Sequence, residues 1–310
     1  MTALFRKDRL RAALPIISLL VVLLPIFYLQ PRTFSYFGLN LLLNLAIPIV
    51  FATMAQMCII TVNDLDLSIG SFVSFVACVG ATLLAENVAL GIAVLVACVL
   101  VYGILGALVE WRNLPSIVVT LGMSFVWLGL AVLLLPTPGG TTPAWLQAIV
   151  GVRIPFVPFP IVAAVVISLA VHLFLMRSSW GTLLRGAGGN AKAVARAGWS
   201  LRLSRGLMYA LAGFFGVLSG LTLVAITTSA DANIALRYTL ISIAAVILGG
   251  GEFVGGKVSP SGAVIGAITL TLAASFLSFL SISPDWQIGA QGAILILVLS
   301  LRALISKERA

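Results

Sequence analysis

The sequence predicts an all-α, polytopic transmembrane helical bundle of about ten spans, with both termini cytoplasmic. Three observations predict it. Of the 310 residues, 61% are hydrophobic and only 9% are charged, whereas a soluble domain is about one-quarter charged. The apolar residues fall in runs near the ~20 residues that carry a helix across a bilayer. Polar, Pro-rich or Gly-rich breaks separate these runs, and the basic residues sort to one side of them. No polar stretch is long enough to fold a second, soluble unit, so residues 1–310 read as a single transmembrane domain.

The first run, 12–30, follows Arg6, Lys7, Arg9 and Arg11 and so mimics a secretory leader. It is longer than a leader core, and Gln30-Pro31-Arg32 follows it in place of a small-x-small cleavage site. It is expected to be retained as the first span. The remaining spans are expected at 38–60, 70–86, 88–110, 115–135, 156–176, 206–226, 238–250, 260–281 and 286–305. The run 238–250 is short, since eleven to thirteen helical residues reach only about 16–20 Å. A broken helix buried by its neighbours is expected there, and the chain must still cross at that point to keep Lys307 and Arg309 inside.

With the N-terminus inside, Arg32, Arg153 and Arg237 fall outside and the other fifteen of the 18 basic residues fall inside, as the positive-inside rule requires. The net charge of +9 is therefore a membrane-orientation signal, and no nucleic-acid partner is read from it. The outer loop Pro136 to Pro155 leaves little room for a receptor domain. The inner loop 177–205 carries six basic residues and no acidic one. Within it Ala191 to Ala197 has helical propensity, bounded by Gly188-Gly189 and Gly198, and a short helix there would be a docking element.

Cys58, Cys78 and Cys98 all lie inside apolar runs and read as small buried hydrophobes rather than a disulfide or metal set. Gly251 to Val258 follows the phosphate-loop pattern until Val258 replaces the Mg²⁺-binding hydroxyl, and Gly186-x-Gly188-x-x-Ala191 resembles a dinucleotide fingerprint without a preceding strand. Neither is read as a nucleotide site. With no nucleophile–base set and no metal cluster, an enzyme reading is rejected. The single histidine, His172, is expected to hydrogen-bond a neighbouring helix. Asn40 and Asn44 share one helix face, and Thr53 and Gln56 share another. They read either as a polar translocation path, with Asn40, Asn44 and Gln56 lining it, or as interhelical hydrogen bonds worth about 0.6–2 kcal/mol each.

The acidic segment Asn63-Asp64-Leu65-Asp66-Leu67-Ser68-Ile69-Gly70-Ser71 joins the second and third spans. Carboxylates beside apolar runs must be solvated or paired. Asp66 or Ser68 capping the third span is one reading, and a proton relay is the other. Leu248-Gly249-Gly250-Gly251-Glu252-Phe253-Val254-Gly255-Gly256 joins the eighth and ninth spans on the same side. The two segments hint at a parallel internal repeat.

These motifs carry a resemblance over nearly the whole chain to the membrane permease subunit of ribose/xylose/arabinose-type bacterial ABC sugar importers. Asp66-Leu67-Ser68-Ile69-Gly70-Ser71 matches that family's Asp-Leu-Ser-Val-Gly-Ser signature. Pro115 to Gly122, with Thr120, matches its Pro-x-(Phe/Ile)-Ile-x-Thr-Leu-Gly segment. Gly188-Gly189-Asn190 followed by Ala-rich residues and Gly198 matches its cytoplasmic loop. Gly249-Gly250 through Gly255-Gly256-Lys257, then Gly262 to Ala267, matches its C-terminal signature. The chain departs from the pattern at Asn63 and Asp64, where the family usually has Gly-Gly, and at Glu252 and Val254, where Ser or Thr is common.

The resemblance implies an importer of two permeases (homodimer or heterodimer) in the bacterial inner membrane, two cytosolic ATPase domains or a fused tandem ATPase, and a periplasmic solute-binding protein. No cofactor is expected on this chain, and ATP and Mg²⁺ belong to the partners. By analogy the segment from Gly181 to Gly198, with Arg185, Gly188, Gly189, Asn190, Ala193 and Arg196, supplies the coupling helix. Asp66, Ser68, Gly70, Thr120, Gly122, Gly249, Gly250, Gly255 and Gly256 are expected to be structural or gating positions. The helix pair around 238–266 and the second span are expected to line the path. The competing readings are a permease of this architecture for a branched-chain amino acid or nucleoside, an ion-coupled secondary transporter, and a purely structural subunit. The scarcity of mid-span charge favours a neutral sugar or polyol, and the glycine-interrupted spans favour movement over inert packing.

Overall fold

The computed structural model describes residues 2–282 and the isolated positions 286, 289, 292, 293 and 296, with side chains from residue 13 onward. The expected tenth span, 286–305, falls outside the described residues apart from those isolated positions. Among the described residues every regular element is helical: α1 (Thr2–Leu29), a 3-10 turn (Pro31–Phe34), α2 (Tyr36–Asn44), α3 (Ala46–Thr61), α4 (Ile69–Ala81), α5 (Leu83–Glu86), α6 (Val88–Arg112), α7 (Ser116–Leu134), α8 (Ala144–Val150), α9 (Phe159–His172), a π turn (Leu173–Arg177), α10 (Ser179–Gly189), α11 (Ala191–Arg196), α12 (Leu201–Thr227), α13 (Tyr238–Leu248) and α14 (Pro260–Phe279).

Among the described residues six helical stretches are long and apolar enough to cross a membrane: 69–86, 88–112, 116–134, 159–177, 201–227 and 260–279. The pair α2 and α3, bent by 42° at Leu45, makes up to a seventh. The apolar part of α1, 13–29, and α13 are shorter apolar helices. At 11 residues, α13 reaches about 16 Å, so the short eighth run is a short helix in the structure too.

The helix boundaries follow from local chemistry. Asn87 accepts the Leu90 N–H and opens α6, and Asn113 closes it in the left-handed region at φ 49, where asparagine is tolerated. Pro115 then redirects the chain into α7. Ser178, Asn190, Ser200 and Ser259 each place a side-chain oxygen on the N–H of the third residue on, opening α10, α11, α12 and α14. A buried N–H at a helix start needs such an acceptor.

α3 and α4 form the centre, with every residue of α4 buried and only Phe51 of α3 partly open. α12 lies across both and against α6. It approaches closely because glycine stands where a side chain would collide. A Cβ on Gly216 would lie 2.6 Å from the Phe72 ring, and one on Gly106 would lie 2.6 Å from Tyr209. Small residues at crossings are what membrane helices use in place of a hydrophobic driving force. The outward faces of α6 and α7 expose Leu100, Ile104, Val118, Phe125 and Leu133, the apolar surface that lipid requires. Cys58, Cys78 and Cys98 are buried and unbridged, as small apolar residues.

Two features shape the end of the bundle where α2 and α13 begin and α12 finishes. The strap before α8 is pinned by an antiparallel bridge between Gly139 and Ala230 and by Thr142 Oγ1 donating to the Val224 carbonyl at 2.9 Å. A groove of about 970 Å³ opens between α2, α3, α13 and α14, lined by Arg32, Thr33, Ser35, Thr227, Arg237 and Tyr238 among others.

Candidate functional site

The segment between α3 and α4 is held by a dense set of side-chain hydrogen bonds. α3 ends at Thr61, and Asn63 turns the chain with φ 63. Beyond the turn Asp66 is 1% exposed. Its Oδ1 accepts the Ser68 N–H at 2.7 Å and the Ser68 hydroxyl at 2.6 Å. Its Oδ2 accepts the Tyr102 hydroxyl at 3.0 Å, and Tyr102 also lies 3.0 Å from Ser68 Oγ. A carboxylate buried in a membrane protein survives only with such donors around it.

The backbone of the same segment is held from three sides. With its amide oriented so that both ends are satisfied, Gln56 donates Nε2 to the Asp66 carbonyl at 3.0 Å and accepts the Asp66 N–H at 3.2 Å through Oε1. Thr120 Oγ1 accepts the Leu67 N–H at 3.1 Å and lies 3.1 Å from the Leu65 carbonyl. Thr239 Oγ1 accepts the Gly70 N–H at 3.0 Å, where a Cβ would strike the Leu236 carbonyl at 2.6 Å. Around the carboxylate Phe72, Phe75, Tyr102 and Trp127 pack with ring centroids 4.5–6.1 Å apart.

Asp64 anchors the segment to two spans. Arg205 at the start of α12 lies 3.1 Å from Asp64 Oδ2 and 2.6 Å from Glu110 Oε2 of α6. Tyr209 donates its hydroxyl to the same Asp64 oxygen at 3.0 Å. Burial pushes the Asp64 carboxyl above its ordinary value, and Arg205 and the Tyr209 hydrogen bond oppose that shift. One guanidinium bridging two carboxylates fixes α6, α12 and the 62–68 segment relative to one another.

α10 and α11 lie at this end of the bundle. Gly181 and Gly188 are buried, and Arg185 Nε donates to the Leu175 carbonyl at 2.9 Å. A Cβ on Gly188 would overlap the Thr61 carbonyl oxygen, and one on Gly256 would overlap the Arg185 carbonyl oxygen. Asn63 Nδ2 donates to the Gly188 carbonyl at 2.7 Å, and Asn63 Oδ1 accepts the Gly255 N–H at 3.0 Å. The short helix α11 has no buried residue. Lys192, Ala193 and Arg196 are exposed, and Gly198 turns the chain at φ 85 with open space around it.

The structure thus gathers Gln56, Asp66, Ser68, Gly70 and Thr120 into one cluster, and Gly188, Gly189, Gly255 and Gly256 into a second that Asn63 links to the first. A Cβ on Gly249 would overlap Gly262 at the start of α14, while one on Gly122 would meet nothing within 4 Å outside its own helix. Asn40 and Asn44 are half-buried on α2, apart from both clusters, and make no side-chain hydrogen bond among the described residues. Gln56 is fully buried with both amide groups occupied by Asp66, and Thr53 bonds back to Ile49 at 2.7 Å. His172 lines an apolar groove with Leu39, Ser168 and Val264 and makes no hydrogen bond among the described residues; the expected interhelical bond is absent there.

The capping expectation needs one correction. Ser68 is the N-cap residue of α4 but its side chain makes no cap bond. Its hydroxyl is drawn instead to Asp66, and Asp66 holds the Ser68 N–H in a turn. The look-alike Gly251 to Val258 segment is a closed turn in which Glu252 N–H donates to the Lys257 carbonyl at 2.9 Å and Lys257 Nζ meets Glu252 at 3.1 Å. Gly186 to Gly189 ends α10 rather than opening a helix, so its N–H groups are not a phosphate cradle.

Sequence reasoning gave no role to Tyr102, Tyr209, Glu110 or Thr239. The available signal was physical. A tyrosine inside an apolar span must find a partner for its hydroxyl, and Glu110 and Arg205 are opposite charges at facing span ends.

The chain matches the family model described as "Branched-chain amino acid transport system / permease component" over residues 38–299. It is 28% identical over 302 residues to the ribose import permease protein of Escherichia coli strain K12, covering 94% of each chain. It is 27% identical over 315 residues to the galactose/methyl galactoside import permease protein of the same strain, covering 93% of each. It is 25% identical over 272 residues to that strain's D-allose transport system permease protein, covering 83% of this chain and 81% of that one. No solved structure matches the chain. With all but the ends of the described bundle inside the matched region, this membrane protein belongs to the branched-chain amino acid transport system permease family.

Proposed function

We propose that this chain is the membrane-spanning permease subunit of an ABC importer, passing a sugar from a periplasmic binding protein to the cytoplasm while partner subunits hydrolyse ATP. The observation that carries the reading is the similarity along 81–94% of the length of permeases named for ribose, galactose and allose. The architecture supports it. An apolar bundle carries a basic, exposed helix at one end, α11, with Lys192 and Arg196 free to meet a soluble motor.

In this reading the chain crosses the bacterial inner membrane ten times with both termini cytoplasmic, and two permeases, identical or related, enclose the path. α10 and α11 form the coupling element, from Gly181 through Arg185, Gly188, Gly189, Asn190, Ala193 and Arg196 to Gly198. The 63–71 and 248–256 segments are the corresponding parts of an internal repeat, and Asn63 hydrogen-bonds both Gly188 of α10 and Gly255. The permease itself performs no chemistry.

The test is uptake in proteoliposomes holding the permease, its ATPase and its binding protein. Labelled ribose, galactose or allose should accumulate only with internal ATP. Because α11 buries nothing, Lys192→Glu with Arg196→Glu should leave membrane abundance unchanged and cut ATPase co-purification about tenfold or more, as reversed charges at an interface do. Accumulation by the permease alone on a proton or sodium gradient would overturn the ABC reading. The family's description favours a second substrate class, and ATP-dependent uptake of leucine but not of the aldoses would select it.

A further inference from the structure

Through its side chain Asn63 reaches two segments that are distant from it and from each other in sequence. Its φ of 63 places the carboxamide outward from the turn, toward α10 on one side and the glycine turn after α13 on the other. The Nδ2 group donates to Gly188 and the Oδ1 group accepts from Gly255, at 2.7 and 3.0 Å. A primary amide carries one donor and one acceptor end, and here each end meets its complement. Aspartate would present an oxygen to the Gly188 carbonyl, and glycine would present nothing.

The backbones around this bond already touch. Gly188 lies on the Thr61 carbonyl, Gly256 lies on the Arg185 carbonyl, and a Cβ on Gly189 would meet the Gly255 carbonyl oxygen at 3.2 Å. Shape alone lets such surfaces slide along one another, whereas a directional hydrogen bond at each end fixes their register. The neighbouring residue, Asp64, is tied through Arg205 to α6 and α12, and Asp66 is tied to α6 through Tyr102. A pull on α10 therefore has a hydrogen-bonded route through Asn63 into the buried centre.

We propose that Asn63 is a positioning residue of the coupling step: its carboxamide clasps the C-terminal end of α10 to the Gly255–Gly256 turn, so that α10 and both repeat loops move as one body. The inference rests on the permease reading above. It assigns Asn63 to transmission and not to the path or to motor docking.

Asn63→Gly is the clean variant, because glycine accepts a φ of 63 without strain and the residue is exposed. In the full chain in lipid nanodiscs, amide exchange of peptides covering 183–190 and 251–257 should rise together by about three- to tenfold, with α4 unchanged. Asn63→Asp should loosen 183–190 and spare Gly255, whose N–H keeps its acceptor. In the assembled importer, ATPase co-purification and ATP turnover should persist while aldose moved per ATP falls about three- to tenfold. Unchanged exchange in both peptides, or an unchanged aldose-to-ATP ratio, overturns the proposal. If the unaltered importer moves no aldose with ATP, the functional reading fails instead, and the exchange measurement still decides whether the clasp exists.

Discussion

Replacing Asp66 with alanine is expected to remove most of the folded permease from the membrane. The carboxylate is 1% exposed and accepts from the Ser68 N–H, the Ser68 hydroxyl and the Tyr102 hydroxyl. Alanine leaves the two hydroxyls to satisfy each other, since they already lie 3.0 Å apart. It strands the Ser68 N–H and opens a void beneath the aromatic cluster. A stranded buried donor costs about 1–3 kcal/mol and the void adds to it, a large part of a typical stability of about 5–15 kcal/mol. Membrane abundance should fall about tenfold, a readout that quantitative immunoblotting of membranes supplies.

Asp66→Asn separates structure from proton transfer at the same position. Its Oδ1 still accepts from Ser68, and its Nδ2 donates to Tyr102, whose hydroxyl turns toward Ser68. The network closes again, so abundance should return to within about twofold of the unaltered chain. If Asp66 is purely structural, this variant also transports. If it relays a proton, the variant inserts normally and fails to transport, because an amide does not titrate. Equal abundance of the alanine variant would show that the network carries no weight.

The bundle was legible in the sequence because membrane insertion depends on run length and charge placement, both of which are local. Asp66 and Ser68 were legible as a pair because they are two residues apart, and the short helix at Ala191 to Arg196 because helical propensity and its flanking glycines are local. Partnerships at long range were not legible. Asp64 with Arg205, Asp66 with Tyr102, and Asn63 with Gly188 and Gly255 are separated by tens to nearly two hundred residues, and no periodicity links them. Gln56 shows the ambiguity that results. A glutamine inside a span signals that some polar group needs it, but whether that group is a solute or the backbone of Asp66 depends on the third dimension. Asn40 and Asn44, on one helix face, stand apart from both clusters because they precede Gln56 by a rise of about 18–24 Å along α2 and α3.

Adding a methyl group at Gly188 or Gly256 is expected to cost far more than at Gly122 or Gly198, although alanine is the smallest change available. At both positions the new carbon would overlap a main-chain carbonyl oxygen, of Thr61 and of Arg185 respectively. A carbonyl in a helix or its end cannot rotate aside as a side-chain tip can. Gly256 adds left-handed strain at φ 64, worth about 1–2 kcal/mol, to an overpacking cost of about 1–3 kcal/mol. Gly198→Ala carries only the strain, since the space around it is open. Gly122→Ala carries neither and gains helix propensity of about 0.5–1 kcal/mol. Detergent melting should therefore rank the variants with Gly122→Ala at or above the unaltered chain, Gly198→Ala slightly below, and Gly188→Ala and Gly256→Ala lowest. The low pair should also lose ATPase co-purification, because lifting α10 from Thr61 displaces the α11 helix that follows it, whereas Gly122→Ala should not. The same rank order in melting and in co-purification would tie the close approach of three backbones to the docking of the motor. A Gly188→Ala variant that melts normally would show that α10 rests less closely on α3 than the overlap at Thr61 requires.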